Sequence, residues 1–458
     1  MNIRLVVFLM IWHLTVALGW AADSCRIQRI NWSGDHSESD ESVMAPLVGE
    51  PCGAWKISAA RLQRDYENHG FLGAKVSGEM DSTGTLLLQV ERGAAYVWAG
   101  AVNLDSSGTK PEVFQKLSGL KTGNLVSPQD LKRSQRKLAR MGYYEQTADV
   151  KMFRDPARNR IVPAFSMKSA AMSAAEVLLT YSSDGNQWEG LVDVNLYNIL
   201  GTARDLELEG FTGEESRHLQ GMYKEPWIFG TEWNLLFRGF FDEDSSEREA
   251  YGEVGISRDI GFDFNVAVFL GLSETEKRTS FELSYVSLDR FVLPRSGTRL
   301  KTSVVWNMDR PDTLDNYLKV RGSISHYVPV YGNWIVRAGG QAGGTFATDA
   351  DLTRNDLFAL GGMDDFKAMD YRFMRTRAYG FSEFALLWQD GYDLSIEGFY
   401  TPGLYRALRP GHGWKREQEY GLAFTQYRKN WSVNFYYALR NGESYLDGIV
   451  GVGVKTLF

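Results

Sequence analysis

The chain is short of cysteine, proline and long hydrophobic runs, and each shortage narrows what it can be. It holds 2 Cys and 12 Pro in 458 residues. After the first twenty positions no apolar run reaches the roughly eighteen residues of a membrane helix, so no helical membrane span is expected there. The formal net charge of −7 gives no basic footprint and excludes a nucleic-acid partner. Histidine is equally sparse. Beyond His13 near the start there are His36, His69, His218, His326 and His412, all scattered. No zinc-ligand spacing, nucleophile elbow or phosphate loop is present. The expectation is therefore no enzyme, no metal and no cofactor.

What is abundant points to strands. Aromatic residues make up 13% of the chain and Gly numbers 46. The first 21 residues form a secretory signal: Arg4 supplies the positive start, Leu5 to Leu18 the apolar core, and Gly19-Trp20-Ala21 a small-x-small cleavage site. In an exported chain a disulfide between Cys25 and Cys52 is the default. The loop it closes contributes about 3–4 kcal/mol in the chain-entropy model.

Residues 22–93 read strand, helix, helix, strand, strand. The strand Arg26 to Trp32 leads to a weak helix over Ser42 to Leu47 and a better one over Ile57 to Asn68, in which Ala59, Leu62 and Tyr66 form one apolar stripe. A hairpin of Ala74 to Met80 and Leu86 to Glu91 follows. Residues 94–170 repeat the order: a strand from Ala95 to Leu104, a helix from Pro111, a second helix capped by Ser127 and opened by Pro128, and a hairpin of Thr147 to Arg154 with Ile161 to Met167. Two such units in tandem are an internal repeat of fold.

From residue 171 to 458 the helical period vanishes. About sixteen runs of roughly ten residues alternate in character. Phe262, Phe264, Val266, Val268, Leu270 and Leu272 share one face of a run, while Asp263, Asn265, Ala267, Gly271 and Ser273 share the other, with Phe269 as the exception. The last run sets Val450, Val452, Val454, Thr456 and Phe458 against Gly451, Gly453 and Lys455. A soluble sandwich or propeller would also alternate. Export, aromatics near the strand ends (Trp227 and Trp233, Trp388 and Tyr392) and a terminal strand ending in Phe favour a transmembrane barrel. Sixteen strands fit the length, and twelve or fourteen are the alternatives. The fold class expected is thus α+β repeats followed by an all-β barrel.

Between two of the late runs, about thirty residues from Thr348 to Arg377 form a loop too long for a tight turn. At its centre stand Gly361-Gly362-Met363-Asp364-Asp365-Phe366-Lys367-Ala368. A Gly pair followed by charges of both signs suits a loop that folds back, and the barrel interior is the available place.

These features together resemble the POTRA-barrel superfamily of outer-membrane assembly and secretion proteins. Its branches include BamA-type insertases, TamA-type translocation factors and the TpsB transporters of two-partner secretion. The two repeats resemble POTRA domains. Asn198-Ile199-Leu200-Gly201-Thr202-Ala203-Arg204-Asp205-Leu206 resembles the family's second turn. Leu288-Asp289-Arg290 with Pro294-Arg295-Ser296-Gly297 resembles its D-R…P-x-x-G connection. Gly361-Gly362 with Phe366-Lys367-Ala368 lies where the family has G-G…(V/L)-R-G-(F/Y), and Glu383 falls on the Glu of the following strand.

The resemblance implies a loop Arg that pairs inside the lumen with an acid on a late strand. Here Lys367 replaces that Arg and Ala368 the adjacent Gly. The family's acid would fall near Thr401. Glu397, four residues earlier on the same face, is the expected substitute partner, and Arg372 is a second source of the missing guanidinium. Two repeats and the Cys25–Cys52 pair resemble the secretion transporters. Gly142-Tyr143-Tyr144 after the second repeat's helix resembles the assembly branch.

The function implied is receipt of unfolded outer-membrane or secreted polypeptide by strand addition to a repeat edge, at Ala74 and Val76 or at Val150 and Met152. The barrel then conducts the chain outward or opens laterally into outer-membrane lipid between its first and last strands. Gly451 and Gly453 in the closing strand suit a weak seam or, equally, room for the folded-in loop. The alternatives are a dedicated two-partner secretion pore and a passive channel. The location expected is the outer membrane of a Gram-negative-type cell with the repeats in the periplasm, where accessory proteins are among the partners this reading allows.

Overall fold

A computed structural model describes residues 25–170, 173–182, 187–213, 216–244, 248–273, 276–309, 316–347, 352, 356–362, 365–370, 374–391, 393–406, 413–428 and 431–457. The expected signal at 1–21, Asp364, Arg372 and Phe458 lie outside the described residues, as does Tyr392 of the expected aromatic pairs. The chain divides into two compact units. The first gathers residues up to Gly100 with Leu120–Lys132 and Met152–Pro163; the second gathers Ala101–Gly119, Arg133–Lys151 and Ala164–Phe458.

In the first unit, strand Thr85–Glu91 is flanked by a parallel Arg29–Gly34 and an antiparallel Lys75–Met80. Helices α1 (Glu38–Met44) and α2 (Trp55–Asn68) supply the other half of the core. Helix α1 begins four residues earlier than the apolar pattern predicts. The reason is a capping box: Ser37 Oγ accepts from Asp40 N–H, and the Asp40 carboxylate accepts from Ser37 N–H at 2.7 Å. Asp40 also accepts from the Tyr66 hydroxyl of α2 and from Arg92 at 3.4 Å. Burial raises its pKa, but these donors outweigh burial and hold it below the usual carboxylate range. Burial first, then Asp40, pushes the Tyr66 hydroxyl up to about 12. Around this polar knot pack Ile27, Met44, Leu62, Leu86, Leu88 and Val90. Cys25 and Cys52 form the expected disulfide, with Cα atoms 5.4 Å apart.

The second repeat differs from expectation at its first strand. Ala95 to Leu104 is not continuous: Val97–Trp98 and Val102–Asn103 are separate short strands, because Gly100 at φ 113° turns the chain between them. Helix α3 spans Pro111–Ser118 and α4 spans Pro128–Arg140, with Ser127 Oγ accepting from Asp130 N–H. The closing hairpin is Tyr144–Asp155 with Arg160–Ser169.

The barrel has sixteen antiparallel strands in a closed ring. They are β1 (Ala174–Ser182), β2 (Gln187–Ile199), β3 (Arg204–Thr212), β4 (Ser216–Glu225), β5 (Trp233–Asp244), β6 (Arg248–Ile260), β7 (Phe264–Ser273) and β8 (Glu276–Val286). Then come β9 (Gly297–Asp309), β10 (Asn316–Tyr331), β11 (Trp334–Ala347), β12 (Ala378–Gln389), β13 (Leu394–Arg406), β14 (Trp414–Arg428), β15 (Trp431–Arg440) and β16 (Ile449–Leu457). β16 pairs with β1 from Val450–Tyr181 to Leu457–Ala174 and closes the ring. Leu270, Leu272, Phe281, Val452 and Val454 face outward, as do Trp306, Trp334, Trp414 and Trp431 nearer the strand ends. Phe269, the break in the alternation, points inward. It lies under the Arg238 guanidinium, 4.1 Å from its ring centre, in space left by Gly255, where a Cβ would stand 2.4 Å from the ring.

Candidate functional site

The loop between β11 and β12 is built inside the barrel as a small structure of its own. Phe358–Leu360 pairs with Met374–Thr376 as a short hairpin. Beyond Leu360 the chain turns at Gly361 and Gly362, at φ 120° and 96°. A Cβ on Gly361 would meet the Asp370 carbonyl at 2.2 Å, so only glycine fits that approach. Gly362 N–H donates to the Phe366 and Met369 carbonyls, both at 3.0 Å, and folds the following residues into a knob. Phe366, at 2% exposure, packs on Phe381 of β12 with ring centres 4.8 Å apart.

The knob meets the wall at three points, two through its charges and one through its backbone. Asp365 pairs with Arg321 of β10 at 3.1 Å. Lys367 pairs with Glu383 of β12 at 3.8 Å and lies over the Phe399 ring at 4.8 Å. Ala368 N–H donates to Glu419 of β14 at 2.8 Å. The expected Lys367–Glu397 pair is not what the geometry gives. Glu397 is already held by Arg337 of β11, whose two terminal nitrogens reach its two oxygens at 2.5 and 3.2 Å. The same guanidinium bonds Glu383. A planar fork binds a carboxylate at two points, whereas a lysine offers one, so Arg337 takes Glu397 and leaves Lys367 the shared Glu383. The guanidinium among the described residues thus comes from the wall. Thr401, where the family's acid would fall, is directly opposite Glu419 across the β13–β14 ladder. The acid that meets the loop thus stands on β14, one strand over from Thr401.

Two further anchors have no signal in the sequence. Arg375, on the returning arm of the hairpin, reaches Asp242 of β5 at 3.7 Å. Thr345 Oγ donates to the Asp356 carbonyl at 3.1 Å at the loop's departure. The loop therefore crosses the lumen from β11–β14 to β5.

Gly451 lies opposite Tyr436 of β15, and a Cβ there would meet the Tyr436 ring at 2.1 Å. That ring, at 2% exposure, packs in one cluster with Ala368 of the loop. Gly453 faces Glu176 and Leu178 of β1. Both glycines point into the lumen, and Lys455 next to them pairs with Glu176 at 3.2 Å across the seam.

The first turn motif and the β6–β7 turn hold parts of the second repeat to the barrel rim. Asn198 accepts from Ala203 N–H at 2.8 Å and donates to Thr109 at 2.7 Å. A Cβ on Gly201 would meet the Gly108 carbonyl at 2.0 Å, which accounts for glycine in that turn. Tyr143 donates to Asp205 at 2.6 Å, Lys137 pairs with Asp259 at 3.0 Å and Arg140 with Asp263 at 2.7 Å. Burial first, then the Asp205 charge, raises the Tyr143 pKa well above its ordinary value. In the second motif, Asp289 accepts from Arg295 and Ser296 N–H at 3.0 and 3.2 Å. The tucked segment Phe291–Pro294 and the Arg337–Glu397 pair line one cavity of about 290 Å³.

Of the named edge residues, Val76 lies in the edge strand of the first sheet, packed against the core. Ala74 is buried and precedes that strand, so it offers no backbone edge. Val150 and Met152 lie, half-buried, in the edge strand Tyr144–Asp155. Among the described residues no cluster of metal-ligating side chains occurs.

Comparison with known proteins agrees with this architecture. An Omp85 superfamily domain matches residues 269–387, and a POTRA domain, the surface antigen variable number repeat, matches residues 100–162. The chain thus carries an Omp85 superfamily domain within a closed sixteen-stranded barrel and a POTRA domain ahead of it. Among solved structures, CdiB from Escherichia coli is similar at 14% identity and TM-score 0.60, covering 96% of this chain and 92% of that one. CdiB from Acinetobacter baumannii is similar at 11% identity and TM-score 0.55, covering 95% and 90%. BamA from Haemophilus ducreyi lacking POTRA domains 1–3 aligns at 15% identity and TM-score 0.47, covering 94% and 100%. No curated protein sequence matches the chain.

Proposed function

We propose that this protein receives unfolded polypeptide at its repeats and inserts it into, or passes it across, the outer membrane through the barrel. The observation that carries the reading is the loop seated across the lumen by Lys367, Ala368 and Arg375. A barrel so obstructed is suited to a gated passage rather than a constantly open one. The edge strands Lys75–Met80 and Tyr144–Asp155 offer unpaired backbone to an extended client. Pairing through the backbone asks little of the client's sequence, which suits a general receptor. The repeats lie in the periplasm in this reading, the partners are unfolded chains, membrane lipid and periplasmic accessory proteins, and no catalytic step takes part.

A dedicated transporter of one large exoprotein is the second reading, favoured by the disulfide in the first of two repeats. Depletion followed by comparison of the outer-membrane and medium proteomes separates the two. Loss of many barrel proteins supports assembly, and loss of one large exoprotein supports the dedicated pore. No change in either would leave a passive channel. Lys367→Ala should raise conductance and impair client delivery; a variant unchanged in both would remove the loop from the mechanism.

A further inference from the structure

In an antiparallel ring, successive connections alternate between the two ends. The β2–β3 and β6–β7 turns meet the second repeat, so the β8–β9, β10–β11 and β12–β13 connections share that end, and the loop between β11 and β12 enters from the other. A second segment enters at the repeat end. It is residues 287–296, between β8 and β9, with Leu288 buried. Arg290 donates to the Gly391 carbonyl of the β12–β13 turn at 3.2 Å, and Arg295 to the Gly332 carbonyl of the β10–β11 turn. The segment is thereby strapped to two other connections at its own end of the ring.

Its tip, Phe291-Val292-Leu293-Pro294, is an apolar run of four half-buried residues. The cavity of about 290 Å³ that the tip lines is walled by Tyr197 of β2, Tyr327 of β10, Ser395 of β13, Tyr427 of β14 and Lys455 of β16. Strands that far apart around the ring line one cavity with the tip only if the tip lies within the lumen. Arg337 and Glu397 line it too, and Arg337 also holds Glu383, the seat of Lys367. The cavity is therefore a chamber bounded by the tip and by the charge cluster on which the loop is seated. Leu293 stands at φ 46°, a conformation that a residue with a side chain keeps only where its surroundings impose it, and one found at segments that switch.

Phe291 joins the tip to the second repeat. A Cβ on Gly142, just after α4, would stand 3.2 Å from the Phe291 ring, so that ring lies directly on the Gly142 backbone. Tyr197 packs edge-on against Phe291, with ring centres 5.8 Å apart, and its ring centre is 6.4 Å from that of Tyr143.

We propose that residues 287–296 form a second gate at the repeat end of the lumen, in series with the loop, held shut by Gly142 and Tyr143 until the second repeat shifts on the rim. An apolar constriction closes a water-filled path by dewetting. Two gates in series let a chain through only when both have moved. This rests on the reading that the barrel passes or inserts polypeptide.

The test places one thiol in the chamber. Ser395→Cys lies there, and the Cys25–Cys52 disulfide leaves it the only free thiol. The full-length protein is reconstituted in liposomes sorted by capture through the repeats, and a charged thiol reagent that cannot cross lipid is added outside or trapped inside. Labelling should be slow from both sides. Phe291→Ala should speed it by about tenfold from the repeat side alone, and Lys367→Ala by about as much from the loop side alone. Gly142→Ala pushes on the Phe291 ring, so it should speed labelling from the repeat side and add nothing when combined with Phe291→Ala.

Labelling of Ser395→Cys alone from the repeat side, at the rate the unfolded protein shows, would overturn the second gate whatever the other variants do. So would a Phe291→Ala protein that still closes as a barrel, checked by its resistance to unfolding in detergent, and labels no faster. Gly142→Ala with no effect would overturn the coupling to the second repeat. An open repeat end with clients still lost on depletion would sink this inference alone. A closed one with no client affected would sink the polypeptide reading alone.

Discussion

The first unit and the barrel are built inside out with respect to each other. In the first unit the buried side chains are Ile27, Leu86, Leu88 and Val90, and the one carboxylate among them, Asp40, is surrounded by donors. In the barrel the outward faces carry Leu270, Leu272 and Val454, while Glu253, Glu419, Asp242 and Asn307 are among the residues least exposed. The difference is the solvent each surface meets. Water drives apolar groups inward in the first unit. Hydrocarbon outside the barrel accepts them on the surface and leaves the lumen to polar groups, which must satisfy one another. A small unit then gains from a staple such as Cys25–Cys52, worth about 3–4 kcal/mol in the chain-entropy model. The barrel needs matched charge instead.

Four substitutions break or sharpen that contrast. The largest effect is expected at Arg337→Met. It leaves Glu397 without its guanidinium and Glu383 with Lys367 alone, and should cost about 3–5 kcal/mol, read as a lowered unfolding midpoint of the barrel in denaturant. A midpoint at the wild-type value would mean that lumenal water, not Arg337, carries those charges. Next is Leu88→Ala, fully buried in the first unit. A loss of about 2–5 kcal/mol should make the first repeat susceptible to protease while the barrel keeps its unfolding midpoint. Equal loss in both would deny that the first unit has a core of its own.

Gly451→Ala overpacks the seat of Tyr436 and should cost about 1–3 kcal/mol. If the glycine makes room for the loop, conductance should rise because Tyr436 leaves Ala368. If it only weakens the seam, loop seating is unchanged and strand separation is what moves, which a β1–β16 cysteine cross-link would report. The smallest effect is expected at Asp40→Asn, about 1–2 kcal/mol through the lost capping box. Because the Asp40 carboxyl is held below its usual range in the folded state, its contribution is fully present above about pH 4, the unfolded value, and disappears as pH falls through the lower folded value. The wild type's excess over the Asn variant should therefore shrink on acidification. A gap constant from pH 7 to 2 would show that the carboxylate charge is not what stabilises α1.

Much of the site was open to reading in the sequence where local rules apply. The alternation that makes sixteen strands is a property of neighbouring residues, so it survives without any tertiary information. Gly361 and Gly362 advertise a turn for the same reason. The start of α1 is legible too, since Ser37-Glu38-Ser39-Asp40 is a capping box, whereas the apolar pattern alone begins only at Ser42. Lys367's partner was not legible. Choosing between Glu383 and Glu397 requires knowing that Arg337, on another strand, competes for both. Nor could Arg375 be matched with Asp242, about 130 residues away in the chain.

The sequence by itself determined the strand period, the repeat, the disulfide and the turn motifs. Each is set by spacing along the chain or, for the disulfide, by the only two cysteines present. Tertiary structure alone decided which charges meet in the lumen and how the loop crosses it. Ring closure brings distant strands face to face inside a low-dielectric wall, and there partners are chosen by distance and geometry rather than by order in the chain.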